Sequence, residues 1–222
     1  MVDIGERVGK ETLGIVTDMD VPLGNAIGNS IEVREAINTL KGCGPGDLES
    51  ISLEIAARML EMAYIGNYKY CMEKAVEALR SGKALIKFKE MVGMQGGDTR
   101  VIDNENVLEN AKAVYEIVSD CNGFIESIKT DRLGSVSMIL GAGRETKESS
   151  IDYAAGIILN KKTGMEIKKG EVLAKLYTNR SDKLSEAEAA LKGSFTFSAH
   201  KPDERPLILA YIDSKGANKI SY

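Results

Sequence analysis

Residues 12–35 constrain this chain more than any other stretch, because they join a short apolar run to a helix through a loop rich in glycine. The run Thr-Leu-Gly-Ile-Val-Thr at 12–17 suits a strand buried on both faces of a sheet. Asp18 and Asp20 end it, and Pro22 cannot donate to a strand ladder. Gly24 and Gly28 permit positive φ and close approach of the backbone. Asn29 suits an N-cap, with Glu32 at capping-box spacing. Ile31, Val33, Ala36, Ile37 and Leu40 then fit a helix that stops near Gly42. A strand, loop and helix in this order place backbone groups where open α/β sheets put their ligands. An ordinary connection with a capped helix is the plainer reading of the same spacing.

The rest of the chain divides at about residue 112. Before it, helices are expected from residue 47 to about 62, over 70–79 and over 83–94, with Asp47 capping the first. The first has a broad apolar face that includes Ile55 and Met59, and Met59, Met62 and Met72 read as core. Residues 95–106 read as a loop or linker. Beyond it, 113–118 and 123–128 look like two strands of a hairpin-like unit. A short helix follows over 131–141, then strands over 154–159, 166–167 and 172–177, a helical stretch at 186–191 and a last strand at 206–212. The final ten residues are expected to fray.

Composition removes several functions. The net charge of −4 argues against nucleic-acid binding driven by a basic surface. No apolar run reaches the length of a membrane span, and the mixed, charged start at Met-Val-Asp-Ile-Gly-Glu-Arg is no signal peptide. Cys43, Cys71 and Cys121 lack metal-ligand spacing and read as reduced thiols of a cytoplasmic protein. The single histidine, His200, lies in a polar turn. No serine or cysteine nucleophile stands near a base.

Thr17-Asp18-Met19, Pro22-Leu23-Gly24 and Gly28-Asn29-Ser30-Ile31-Glu32-Val33-Arg34-Glu35-Ala36 together resemble the matching segment of the pyrimidine-nucleoside phosphorylases, the family that includes thymidine phosphorylase. The resemblance continues through Leu40-Lys41-Gly42 and Gly44-Pro45, with Asp47-Leu48. It resumes at Gln95-Gly96-Gly97-Asp98, at Leu140-Gly141-Ala142-Gly143-Arg144 and over 151–179. It implies an α/β fold: residues 1–112 as part of a mixed α/β phosphorylase domain with helices around strands, and 113–222 as a smaller α+β domain of barrel-sandwich (hammerhead-like) type. Val2, Ile4 and Val8 look like the last turns of a helix, and in the family this segment lies near the middle of the chain. The chain is therefore expected to be the C-terminal half of a phosphorylase.

The resemblance implies reversible phosphorolysis of thymidine- or uridine-type nucleosides to free base and (deoxy)ribose 1-phosphate, with phosphate as co-substrate. It implies a cytoplasmic homodimer and a potassium site at the backbone carbonyls of Leu23 and Ala26 and the carboxylate of Glu35. Hard cations take oxygen ligands, which suits such a set. The family's Lys-His-Ser-Thr-Gly-Gly phosphate loop and its base-binding residues have no counterpart here, so no catalytic residue is assigned and the chain alone is expected to be inactive. Gly141-Ala142-Gly143-Arg144 could cradle phosphate but reads better as a tight turn beside a surface arginine. Residues 164–173 look like the second hairpin of a lipoyl or biotinyl carrier. A carrier or binding module, modified on Lys129, Lys161 or Lys162, is the alternative, as is a non-catalytic subunit of a split phosphorylase.

Overall fold

A computed structural model describes residues 1–144 and 146–220. It begins with α1 (Val2–Arg7), β1 (Gly14–Thr17), β2 (Ala26–Gly28) and α2 (Ser30–Leu40). Three helices follow, α3 (Gly46–Met62), α4 (Tyr68–Arg80) and α5 (Lys83–Met94), then two short 3-10 turns inside the expected linker. The second part holds β3 (Ala113–Val118), β4 (Gly123–Ile128), α6 (Thr130–Leu140), β5 (Gly156–Leu159), β6 (Glu166–Ile167), β7 (Val172–Thr178), α7 (Leu184–Lys192), β8 (Phe195–Ser198), β9 (Ile208–Asp213) and β10 (Gly216–Lys219).

The fold is mixed α/β, with three antiparallel sheets of order β1-β9-β10, β2-β5-β7-β3 and β6-β4-β8. No closed barrel forms among the described residues. Two of the sheets take strands from both sides of residue 112, since β1 pairs with β9 and β2 with β5. The main apolar cluster lies wholly within residues 117–195 and centres on Ile125, Leu133, Ile157, Leu176 and Leu191.

Several expectations change. The strand at 12–17 is not buried on both faces. β1 is an edge strand of an antiparallel sheet, and Val16 is 38% exposed. Strands β3 and β4 do not pair with each other; β3 joins β7, and β4 lies between β6 and β8. Residues 216–219 do not fray, because β10 pairs in register with β9, while residues 221 and 222 of the expected frayed end lie outside the described residues. Met59 and Ile55 are exposed, so the apolar face of α3 is narrower than its sequence suggests. Only Ile51, Glu54 and Ala57 of that helix are buried.

Glu54 ties the helices to the terminal sheet. One oxygen accepts bonds from Arg58 Nε and the Tyr211 hydroxyl, each at 2.8 Å, and the other from the Tyr68 hydroxyl at 2.5 Å. The Arg58 guanidinium lies over both rings, 4.1 Å from the centroid of Tyr68 and 4.7 Å from that of Tyr211. Arg58 also reaches Glu61 at 2.9 Å. A buried carboxylate is tolerated here because its oxygens are filled by hydrogen bonds and its charge is paired.

Candidate functional site

The turn between β1 and β2 is shaped by a left-handed glycine and two carboxylates. Gly24 has φ +68°, and a Cβ there would stand 2.2 Å from Glu35 Oε2. Only glycine lets the second turn of α2 fold its carboxylate under the loop. Glu35 Oε1 accepts the backbone N–H of Asn25 at 2.9 Å and of Ala26 at 3.0 Å. Asp47, in the first turn of α3, accepts the N–H of Gly24 at 3.2 Å and that of Leu48 at 2.9 Å. Three consecutive amides, 24 to 26, are thus held by side-chain carboxylates.

Lys162 completes the arrangement from the far side. Its ammonium bonds Asp47 Oδ2 and donates to the Gly24 carbonyl at 2.8 Å. The pair is half-buried, with side chains 17% and 26% exposed. Burial raises the Asp47 pKa, but the Lys162 ammonium and the backbone N–H groups of Leu48 and Gly24 outweigh it and leave the carboxyl below its ordinary value.

The carbonyls follow from the amides, since a trans peptide turns C=O and N–H to opposite sides. The Gly24 carbonyl goes to Lys162, and the Asn25 carbonyl accepts from Leu159 N at 2.8 Å. Ala26 sits at the alternate position of the β2–β5 ladder, where its carbonyl faces away from β5. No turn or loop N–H among the described residues bonds the Leu23 or Ala26 carbonyl. Leu23, Ala26 and Glu35 line one pocket of about 450 Å³, walled also by Leu48, Thr130 and Leu133.

The donor set decides what this pocket suits. No group of three or more His, Cys, Asp or Glu among the described residues could hold a metal ion. Two neutral carbonyls and one carboxylate that takes two backbone N–H groups are oxygen donors, the kind that hard cations prefer and transition metals do not. An ion held in this pocket would be taken by oxygen donors alone.

The other sequence candidates fall elsewhere. Asn29 does not cap α2 with its side chain; its amide donates to the Ala142 carbonyl at 2.9 Å. Glu32 accepts from Gly28 N at 2.9 Å, one residue before the expected partner, and with no return bond the expected capping box does not form. Asp47 is not the cap of α3, a place held by Pro45, because its carboxylate serves the loop. Gly141 ends α6 with φ +109°, and Arg144 beyond it is exposed. His200 is exposed as well. Of the possible carrier lysines, Lys161 binds the Glu166 carbonyl and Glu171, Lys162 is committed to the loop, and Lys129 is exposed at the head of α6. Asp47 and Lys162, the two side chains the sequence did not assign to the loop, are 115 residues apart. No spacing rule links them.

Fold and loop together define a class: a mixed α/β protein whose glycine turn offers carbonyl oxygens beside a carboxylate. Residues 124–198 match the pyrimidine nucleoside phosphorylase C-terminal domain. The chain is 45% identical over 184 residues to the pyrimidine-nucleoside phosphorylase of Geobacillus stearothermophilus, covering 81% of this chain and 42% of that protein. It is 42% identical over 204 residues to that of Staphylococcus aureus, covering 90% and 46%. The chain belongs to the pyrimidine-nucleoside phosphorylase family, as a C-terminal part of it. It spans less than half the length of these relatives. Among the described residues no helix is long and apolar enough to cross a membrane.

Proposed function

We propose that this chain acts as the C-terminal part of an enzyme that splits a pyrimidine nucleoside with phosphate, giving free base and a pentose 1-phosphate. Similarity to relatives named pyrimidine-nucleoside phosphorylase over most of the chain carries this reading. Residues 1–112 would complete the wall of a phosphorylase α/β domain, and 113–222 would form its C-terminal domain. The phosphate loop and the base-binding groups would come from the other half of the protein, in a cytoplasmic homodimer.

Within this chain the contribution would be electrostatic. Leu23 O, Ala26 O and Glu35 would hold potassium beside the phosphate site, and the bound ion would supply positive charge there. Fixed charge aimed at an anionic reactant needs no reorganisation when the reaction occurs. The chain's own residues would orient that ion and exclude bulk water from one side of it.

The test uses the species that carries this chain in its native host. Its intact mass should be about twice 24.1 kDa, or it should copurify with a separate N-terminal chain. That species should release thymine or uracil from thymidine or uridine only when phosphate is added. A native species without this activity overturns the reading. The 222 residues alone should give no turnover, and turnover by them would overturn the assignment of catalysis to the other half.

A further inference from the structure

We propose that Lys162 is a positioning residue, which fixes the Gly24 carbonyl and the Asp47 carboxylate from the C-terminal domain and so holds the loop whose Leu23 and Ala26 line the pocket beside Glu35. The proposal rests on the cation reading of that pocket. It assigns to residues 124–198 a task at a loop outside their own core.

The geometry engages the two peptide units that meet at Gly24. The Gly24 N–H goes to Asp47 and its C=O to Lys162, and Lys162 also binds Asp47. Acid, ammonium and the Gly24 backbone thus form a closed triangle. A trans peptide is rigid, so fixing the Gly24 N–H on Asp47 turns the Leu23 carbonyl to the opposite side. Fixing the Gly24 carbonyl on Lys162 turns the Asn25 N–H to Glu35, where it is found. That bond and the next, from Ala26, pull the carboxylate under the loop.

Lys162 is held for this task. It lies in the turn between β5 and β6, where Met165 N donates to its own carbonyl at 3.1 Å and Gly164 N donates to the Ile125 carbonyl at 2.8 Å. The turn is therefore anchored on β4, at the rim of the main apolar cluster, and the lysine stem is presented by a rigid base. The neighbouring Lys161 points to a different pair of partners, Glu166 and Glu171. An exposed lysine pair would be worth little. This one is half-buried and bonds a backbone carbonyl, so its loss frees a peptide as well as a charge.

The experiment compares the chain with Lys162→Met, Lys162→Arg and the double variant Asp47→Asn with Lys162→Met, which leaves no unpaired buried charge should the single variant fold poorly. Amide hydrogen exchange is followed in the peptide covering residues 22–27 and in the β3–β7 ladder. In parallel, melting is followed during titration with potassium chloride against tetramethylammonium chloride at matched ionic strength. Loss of Lys162 should speed exchange at 24–26 and raise the half-saturating potassium concentration, each about tenfold, the equivalent of one charge-assisted bond. The ladder should be unchanged, and Lys162→Arg should restore part of both effects.

Unchanged exchange at 24–26 overturns the proposal. So does faster exchange with the same potassium response as the parent chain. If the parent responds equally to both salts while Lys162→Met still frees the loop, the clamp stands and the cation reading falls.

Discussion

Glu54 and Glu35 are both helix carboxylates that gather hydrogen bonds, but from different kinds of donor, and Glu54 uses both its oxygens where Glu35 uses one. Glu54 takes side-chain donors from Arg58, Tyr68 and Tyr211 and joins α3 to α4 and β9. Glu35 takes backbone donors from Asn25 and Ala26. Side-chain donors close a site, because each partner ends there. Backbone donors orient a peptide, and each N–H they fix turns a carbonyl the other way. The first arrangement is complete in itself; the second turns the Gly24 and Asn25 carbonyls outward to Lys162 and Leu159 N, and so sets the path of the loop. That contrast separates the part of the molecule that holds α3 against β9 from the part that shapes a loop.

Breaking the Glu54 hub should have the largest effect. Glu54→Ala leaves the Arg58 charge and two hydroxyls without their acceptor and should lower stability by about 3 kcal/mol in denaturant unfolding. A loss below about 1 kcal/mol would mean that the hub is not a tie between α3 and β9. Gly24→Ala attacks the other region, both through a left-handed φ and through the near-contact with Glu35. We expect a loss of about 1–3 kcal/mol, together with faster amide exchange at Asn25 and Ala26. A neutral outcome would show that the Glu35 grip tolerates a displaced loop.

Two titrations sharpen the difference. Burial raises the Glu54 pKa, but bonds from Tyr68, Tyr211 and Arg58 outweigh it and hold the carboxyl below 4.5. A depressed carboxyl contributes stability above its unfolded pKa and loses it as pH falls through the folded value. The acid limb of unfolding should therefore flatten below about pH 4.5 in Glu54→Gln. The Tyr68 phenol is pushed up to about 12 by burial and by the adjoining Glu54. Absorbance titration of the tyrosines should show a late step that Tyr68→Phe removes. Smallest of all should be the exposed Lys87–Glu90 pair on α5, whose removal should change stability by less than about 0.5 kcal/mol.

The sequence was legible where structure is local. Helix α5 runs over Lys83–Met94 as its pattern predicts, and α2 ends before Gly42, which has φ +78°. Gly28 is explained by close approach, since a Cβ there would lie 2.6 Å from the Ala155 carbonyl. Legibility failed where distant segments meet. β3 and β4 are adjacent in sequence and of the right composition for a hairpin, yet their partners lie beyond residue 160. Asp47 looked like a cap because its role depends on Lys162, which no local pattern connects to it. Family motifs pointed to Leu23, Ala26 and Glu35. The carboxylate grip on the loop amides is visible only in three dimensions.

The pairing of β1 with β9 has a consequence for synthesis. β9 is the centre of its sheet, and its two neighbours come from opposite ends of the described chain. While the polypeptide is being made, Gly14–Thr17 must wait without a partner until Ile208–Asp213 has left the ribosome. The cluster within residues 117–195 can collapse earlier. Closing so wide a loop is slow, and an unpaired edge invites the wrong neighbour. The nascent chain thus carries an unpaired strand through the synthesis of the nearly two hundred residues between β1 and β9.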